Sequence, residues 1–379
     1  MRVGRVSHGD PLTTFVYDTT MMRATTSVVN GRPEGRNMRL LVIGGTSFVG
    51  RTIVGDALGR GHEITTFNRG LTGKDIDGVE ALRGDRSTDE GVQVLAGRSF
   101  DAVIDPGGQV PAHVLRTAQA MAGCAPFYAF VSTTGVYQAW NTASLDESAA
   151  TWPGVPDQDG DPADLEKLRV HKRGCELAVE QTYGLDASLV ARAGSIVGPH
   201  DNLGQLPWWL TRIAEGGRVI APGDPGRGLQ LIDVRDLSAF VLDQVEAQAG
   251  GIHNVVPDGP NTTMGRLVGG CVQATGSDAD PVWVDEGFLL SQGVLPWAEL
   301  PLWIPDVPDT AGFWAVSGAS AKAAGLRTRP FGDSVRDTWQ WLRSGGEVRT
   351  APGAPPLGLA GEKEQQVLAA WDARLSEGN

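Results

Sequence analysis

Residues 38–70 read MRLLVIGGTSFVGRTIVGDALGRGHEITTFNRG, and the order of elements in this stretch decides the fold. Met38–Ile43 is apolar apart from Arg39, without polar alternation, as expected of a strand covered on both faces. Gly44-Gly45-Thr46-Ser47 interrupts it. Phe48, Val49, Ile53, Val54, Ala57 and Leu58 then share one stripe at helical spacing, which predicts a helix over Phe48–Arg60. Gly59-Arg60-Gly61 ends that helix, and Glu63–Phe67 reads as a second strand. Strand, glycine turn, helix and strand in this order open a parallel sheet.

The same rhythm continues outward. Strands are expected at Val79–Leu82, Asp101–Ile104, Phe127–Ser132 and Ala187–Ala191. Helices are expected at Thr88–Ala96, Pro111–Ala122 and Ala163–Tyr183. Together they predict an α/β fold with a doubly wound parallel sheet over residues 38–199. Upstream, residues 1–37 lack periodicity and read as a flexible tail, which makes Met38 a candidate start of the native protein. Downstream, Thr151–Asp161 is rich in Pro, Gly and Asp, and beyond Gly198 the chain becomes rich in Trp and Pro. Residues 200–345 are therefore expected to form a smaller C-terminal substrate-binding region with loop-built walls. Within it, 230–256 looks like a strand and helix returning to the first domain. Residues 346–379 read as a linker, with a spacer at Thr350–Leu359, and a terminal helix near Lys363–Leu375.

Composition excludes several classes. The chain has 379 residues, 41% hydrophobic and 20% charged, which is a globular balance of roughly two-domain size. Thirty-two basic against 45 acidic residues leave a net charge of −13, and no Lys/Arg cluster offsets it. Nucleic-acid and anionic-membrane partners are not expected. Cys124, Cys175 and Cys271 are odd in number and widely spaced, so neither a disulfide framework nor a zinc knuckle is predicted. The six histidines form no HxH or HExxH pair, and no metal site is predicted. With no stretch apolar enough to span a bilayer and no signal-peptide core, a cytoplasmic location is expected.

The turn Gly44-Gly45-Thr46-Ser47-Phe48-Val49-Gly50, set between strand and helix, predicts dinucleotide binding. Glycines let backbone amides and the positive helix end approach a pyrophosphate closely. An acid that would hold the ribose of NAD is missing at the end of the second strand, where Asn68-Arg69 stands. Arg69 is placed to receive a 2′-phosphate bidentately, so NADP is favoured, with NAD the alternative. Further candidates at strand ends are Asp85-Arg86 and Asp105.

The spacing G-x-x-S-x-x-G resembles the G-x-x-G-x-x-G turn of the short-chain dehydrogenase/reductase superfamily, with Ser47 at the middle glycine. More narrowly, the chain looks like an atypical extended member, of the NAD-dependent epimerase/dehydratase family, over about Met38 to Leu342. Val131-Ser132-Thr133-Thr134-Gly135-Val136-Tyr137, Arg192-Ala193-Gly194-Ser195-Ile196-Val197-Gly198-Pro199 and Leu231-Ile232-Asp233-Val234 match the family's motifs in order. The resemblance implies a Rossmann-type domain, a small-molecule substrate, a homodimer, Asp85 near the adenine amino group, and Thr133 as the catalytic Ser/Thr. It also implies a Tyr-x-x-x-Lys helix. Lys172 matches the lysine that binds the nicotinamide ribose, but Leu168 stands at the tyrosine. Four residues after Tyr17, Tyr128, Tyr137 and Tyr183 come Met21, Ser132, Asn141 and Ala187, so no other frame restores the pair.

Three alternatives follow from that departure. Another group supplies the proton, Tyr137, Asp105, His171, His200 or a water held by Thr133 and Lys172 being the candidates. Or the cofactor serves epimerisation or dehydration with an acid or base from the second half. Or the chain is a non-catalytic NAD(P)-binding sensor or scaffold. The pairs Trp208-Trp209 and Trp297…Trp303 would line a pocket for a substrate more apolar than a bare sugar, or anchor the core.

Overall fold

In the computed structural model, residues 37–141, 144–349 and 357–377 are described. The tail expected at residues 1–37 falls outside them except for Asn37, as does most of the spacer at Thr350–Leu359. Six strands of the first half are β1 (Arg39–Ile43), β2 (Glu63–Asn68), β3 (Glu80–Arg83), β4 (Ala102–Asp105), β5 (Tyr128–Thr133) and β6 (Ser188–Ala193). Between them run α1 (Phe48–Gly59), α2 (Asp89–Val92), α3 (Pro111–Met121) and α4 (Leu165–Tyr183). The second half adds β7 (Ser195–Val197), α5 (Gln205–Ala214), β8 (Arg218–Pro222), β9 (Gly228–Leu229), β10 (Leu231–Asp233), α6 (Val234–Ala247) and β11 (Gly251–Val255). The chain ends through β12 (Thr262–Thr263), α7 (Met264–Thr275), β13 (Asp280–Val284), α8 (Glu286–Ser291), α9 (Ala319–Ala323), α10 (Phe331–Arg343) and α11 (Gly361–Glu377).

Seven strands make one parallel sheet in the order β11-β6-β5-β4-β1-β2-β3. The order reverses between β1 and β4, which opens a crevice at their carboxyl ends. Leu40, Val42 and Ala129 pack on one face under Ile53 and Val54 of α1 and Leu237, Phe240 and Val241 of α6. Leu41, Val103, Tyr128 and Phe130 pack on the other under Val114 and Ala118 of α3 and Cys175 and Val179 of α4. The sheet is thus covered on both sides, which is why its strands read as continuous apolar runs. This is a Rossmann-like α/β fold.

Several expectations are adjusted. The helix over Thr88–Ala96 is only one turn, Asp89–Val92, followed by a 3-10 turn at Gln93–Leu95. Within it Gly91 is required by close packing: a Cβ there would lie 1.9 Å from the carbonyl oxygen of Asp85, so loop and helix meet backbone to backbone. In the segment 230–256, α6 packs on α1 and β11 joins the sheet, but β10 pairs with β7 in a separate two-stranded ladder. The tryptophans of the second half mostly build a second core. Trp209 and Trp303 are fully buried, and their indoles donate to the Pro301 carbonyl (2.7 Å) and to Glu286 (2.8 Å). Among the described residues no helix is long and apolar enough to cross a membrane.

Candidate nucleotide site

The turn after β1 is built around two glycines at positive φ, Gly44 (+100°) and Gly45 (+88°), where other residues are strained. A Cβ on Gly45 would lie 2.9 Å from Thr66 Cγ2, whereas one on Gly44 would meet nothing within 4 Å. The open side of the turn is therefore at Gly44. Gly50 lets α1 seat directly on the turn, because a Cβ there would lie 2.9 Å from the Gly45 nitrogen and 3.2 Å from Pro106 Cγ. Phe48 enters the helix at φ +31°, uncommon for a residue with a side chain. Ser47 stands at the N-cap without a side-chain cap bond, and the first turn of α1 holds no acid. The positive helix end is left for an anion. Gly50→Ala is expected to cost about 1–3 kcal/mol and to weaken nucleotide binding. Urea unfolding and a nucleotide titration would check both; unchanged values would mean that the turn has room to shift.

A cleft of about 740 Å³ runs along the carboxyl ends of β1, β2, β3 and β4. The turn 44–50, including Thr46 and Val49, lines it with Asn68, Arg69, Asp85, Arg86 and the Pro106–Val110 loop. The arginines around it are not equivalent. Arg83 pairs with Asp75 and donates to Asn68 Oδ1 (3.0 Å). Arg86 forks onto buried Asp105, at 3.1 and 2.6 Å. Arg69 is exposed on the rim and has no hydrogen bond or ion pair among the described residues. Asn68 ties the strand end together, donating to the Gly44 carbonyl (3.1 Å) and accepting from the Gly70 amide (2.8 Å). Asp85 Oδ1 accepts from the Ser87 amide (2.9 Å), and bonds to Ser87 hold its carboxyl below the ordinary range.

Asp105 is fully buried and also accepts from Tyr128 Oη (3.0 Å) and the Gly108 amide (3.2 Å). Burial pushes its carboxyl up, but the charge and hydrogen bonds of Arg86 prevail and hold it below the ordinary carboxylate range. Burial and the Asp105 charge raise Tyr128 well above the usual phenol range.

The residues matched to catalysis lie apart from the lining of this cleft. Thr133 Oγ1 accepts from the Gly135 amide (3.0 Å), capping a 3-10 turn. Lys172 Nζ donates to the Val131 carbonyl (3.1 Å) and lies 4.9 Å over the Phe130 ring; burial lowers its pKa, against the raising effect of Cys175, Asp105 and Glu176. Tyr137 is fully buried; its hydroxyl donates to Asn254 Oδ1 (2.6 Å) and accepts from Arg192 (3.2 Å), and burial raises its pKa. Arg192 in turn forks onto Glu176 at 3.0 and 2.9 Å, and both are buried. This network joins α4, β6, β11 and Tyr137 after the 3-10 turn that follows β5, and nothing in the sequence spacing announces it. His171, which helical phase leaves at the side of Lys172, is 3% exposed with Nδ1 unpartnered. His200, at φ +67°, lies 5.3 Å from the Trp341 ring, and burial lowers its pKa.

Asp201 was not legible as special. It is fully buried, and its Oδ1 accepts from the Leu203 and Gly204 amides (2.8 and 3.0 Å), so it pins the loop that brings Asn202 and Leu203 to the cleft. Burial pushes its carboxyl up to about 6. A folded-state pKa above the unfolded value gives stability that is present at low pH and lost as pH rises through about 6. His200 and His253, lowered by burial, work in the opposite sense near the same pH. The comparison with Asp201→Asn isolates the carboxyl: the variant is expected to gain stability relative to the parent as pH rises from about 5 to about 7.5. Melting curves at the two pH values would show it; a constant difference between the chains would contradict the assignment.

A parallel sheet with a glycine turn at its switch point and a cleft along its carboxyl edge defines a Rossmann-like α/β class of protein. No protein-family model matches the chain, and no curated protein matches it. Solved structures do. The Bordetella bronchiseptica enzyme WbmH, in complex with NAD+, matches at TM-score 0.62 and 16% identity, over 82% of this chain and 100% of its own. A UDP-N-acetylglucosamine 4-epimerase from Methanobrevibacter ruminantium, in complex with UDP-N-acetylmuramic acid, matches at 0.62 and 19%, over 82% and 99%. The UDP-glucose 4-epimerase of Thermus thermophilus, complexed with NAD, matches at 0.56 and 21%, over 81% and 99%. At these identities the likeness is one of fold, shared with two 4-epimerases and with WbmH.

Proposed function

We propose that the chain binds NADP(H) along the Gly44–Gly50 cleft and is an epimerase-like oxidoreductase acting on a small molecule, with a catalytic centre altered at Leu168. The observation that carries the nucleotide assignment is Arg69, a guanidinium at the end of β2 whose neighbours Arg83 and Arg86 are both paired. A 2′-phosphate meets it bidentately, while the ribose of NAD finds no carboxylate at Asn68. The open turn at Gly44 and the uncapped start of α1 suit a pyrophosphate, and Asp85 keeps an acceptor for the adenine amino group.

When bound, the nicotinamide supplies hydride acceptance and return. The chain's own residues supply orientation and charge: the turn fixes the phosphates, and Asp201 holds the loop at the far wall. Leu168 has no proton to move, so proton transfer falls to a group other than the tyrosine of the resembled family. The small-molecule ligands of the fold's neighbours, NAD and a UDP-sugar, support the substrate class. The test is titration of the protein with NADPH and NADH, followed by turnover on carbonyl and nucleotide-sugar panels. Tight NADPH binding with turnover is expected.

One observation favours the sensor as a second reading: Thr133, Tyr137 and Lys172 all make their hydrogen bonds inside the protein. Binding without turnover on any panel would decide for it.

A further inference from the structure

We infer that the cleft reads only the 2′-phosphoadenosine diphosphate half of its ligand, so that a molecule ending at the distal ribose binds about as tightly as the whole dinucleotide. This rests on the nucleotide assignment above. On the adenosine side lie the start of α1, which has no side-chain cap bond, and Arg69, which has no hydrogen bond or ion pair among the described residues, beside Asp85.

On the distal side the groups matched to anchoring a second ribose and its base each make a hydrogen bond within the protein, Lys172 keeping two N–H and Thr133 its O–H. Lys172 Nζ donates to the Val131 carbonyl and lies over Phe130. Thr133 Oγ1 caps Gly135, and Tyr137 is held by Asn254 and Arg192. Leu168 offers no polar atom. None of the four lines the cleft. Asp105, at the end of β4, has both oxygens bound by Arg86. The rest of the lining there includes Pro106, Ile196 and Leu203, the side-chain amides of Gln109 and Asn202, and the exposed carboxylate of Asp161, whose charge repels a phosphate. A neutral amide on a loop exchanges a bond to water for a bond to ligand with little net gain, whereas an arginine–phosphate fork gains more.

The experiment is isothermal titration of the full chain with NADP+, NADPH, 2′-phospho-ADP-ribose and ADP-ribose. The three 2′-phosphorylated ligands are expected to bind within about fivefold of one another, with ADP-ribose at least about tenfold weaker. In Arg69→Ala the three are expected to lose affinity by the same factor. If 2′-phospho-ADP-ribose is weaker than NADP+ by more than about fivefold, the distal half is read; the inference is then overturned, and the NADP assignment stands. If none of the four binds, the nucleotide assignment fails, and this inference with it.

Discussion

Glu176→Ala is expected to lower the stability of the chain by about 3–5 kcal/mol, because it strands the buried guanidinium of Arg192. Arg192 is 2% exposed, and Glu176 binds it through two oxygens. Its remaining polar neighbour, the Tyr137 hydroxyl, carries no charge. Once the carboxylate is gone, no other acid pairs with the cation among the described residues, and Arg173, which also donates to Glu176 (2.9 Å), loses the same partner. For a domain of this size the loss corresponds to a fall in Tm of roughly 5–15 °C by differential scanning calorimetry. Restoring neutrality by the double change Glu176→Leu with Arg192→Met is expected to recover most of it, since buried pairs are often replaced without cost by apolar residues of similar volume. A single variant that melts with the parent would show that solvent enters this seam.

The second large effect is on binding. Arg69→Ala is expected to weaken NADPH by about 10–100-fold, the loss of one or two charge-assisted bonds, while changing NADH by less than about threefold. Because Arg69 is exposed and makes no internal hydrogen bond or ion pair among the described residues, the variant should melt as the parent does. The comparison therefore reads ligand chemistry rather than folding. Equal losses for the two nucleotides would place the effect on general charge instead of the 2′-phosphate, and no loss would move the adenosine end elsewhere.

The main elements of the sheet were legible because the signals are local. Apolar runs without alternation, such as Met38–Ile43 and Asp101–Ile104, report burial on both faces, and the glycines between them report turns. The helix expected over Thr88–Ala96 is only one turn, and its Gly91 answers a contact with Asp85 across the loop that spacing does not show. A motif places a residue at a strand end, yet its position does not say what the side chain bonds to. Arg69 and Arg86 look alike in sequence, but Arg86 meets Asp105 across from β4, while Arg69 makes no hydrogen bond among the described residues.

By itself the sequence determined the parallel α/β sheet, the glycine turn after its first strand, and the absence of a tyrosine four residues before Lys172. These depend on composition and spacing along the chain. The tertiary structure decided which polar groups remain available. Lys172, Thr133 and Tyr137 make internal hydrogen bonds, Asp105 is neutralised by Arg86, Asp201 is buried with one oxygen unpartnered, and most tryptophans of the second half join a core. The physical reason is that a buried polar group must find a partner wherever the fold supplies one, and those partners lie far away in sequence.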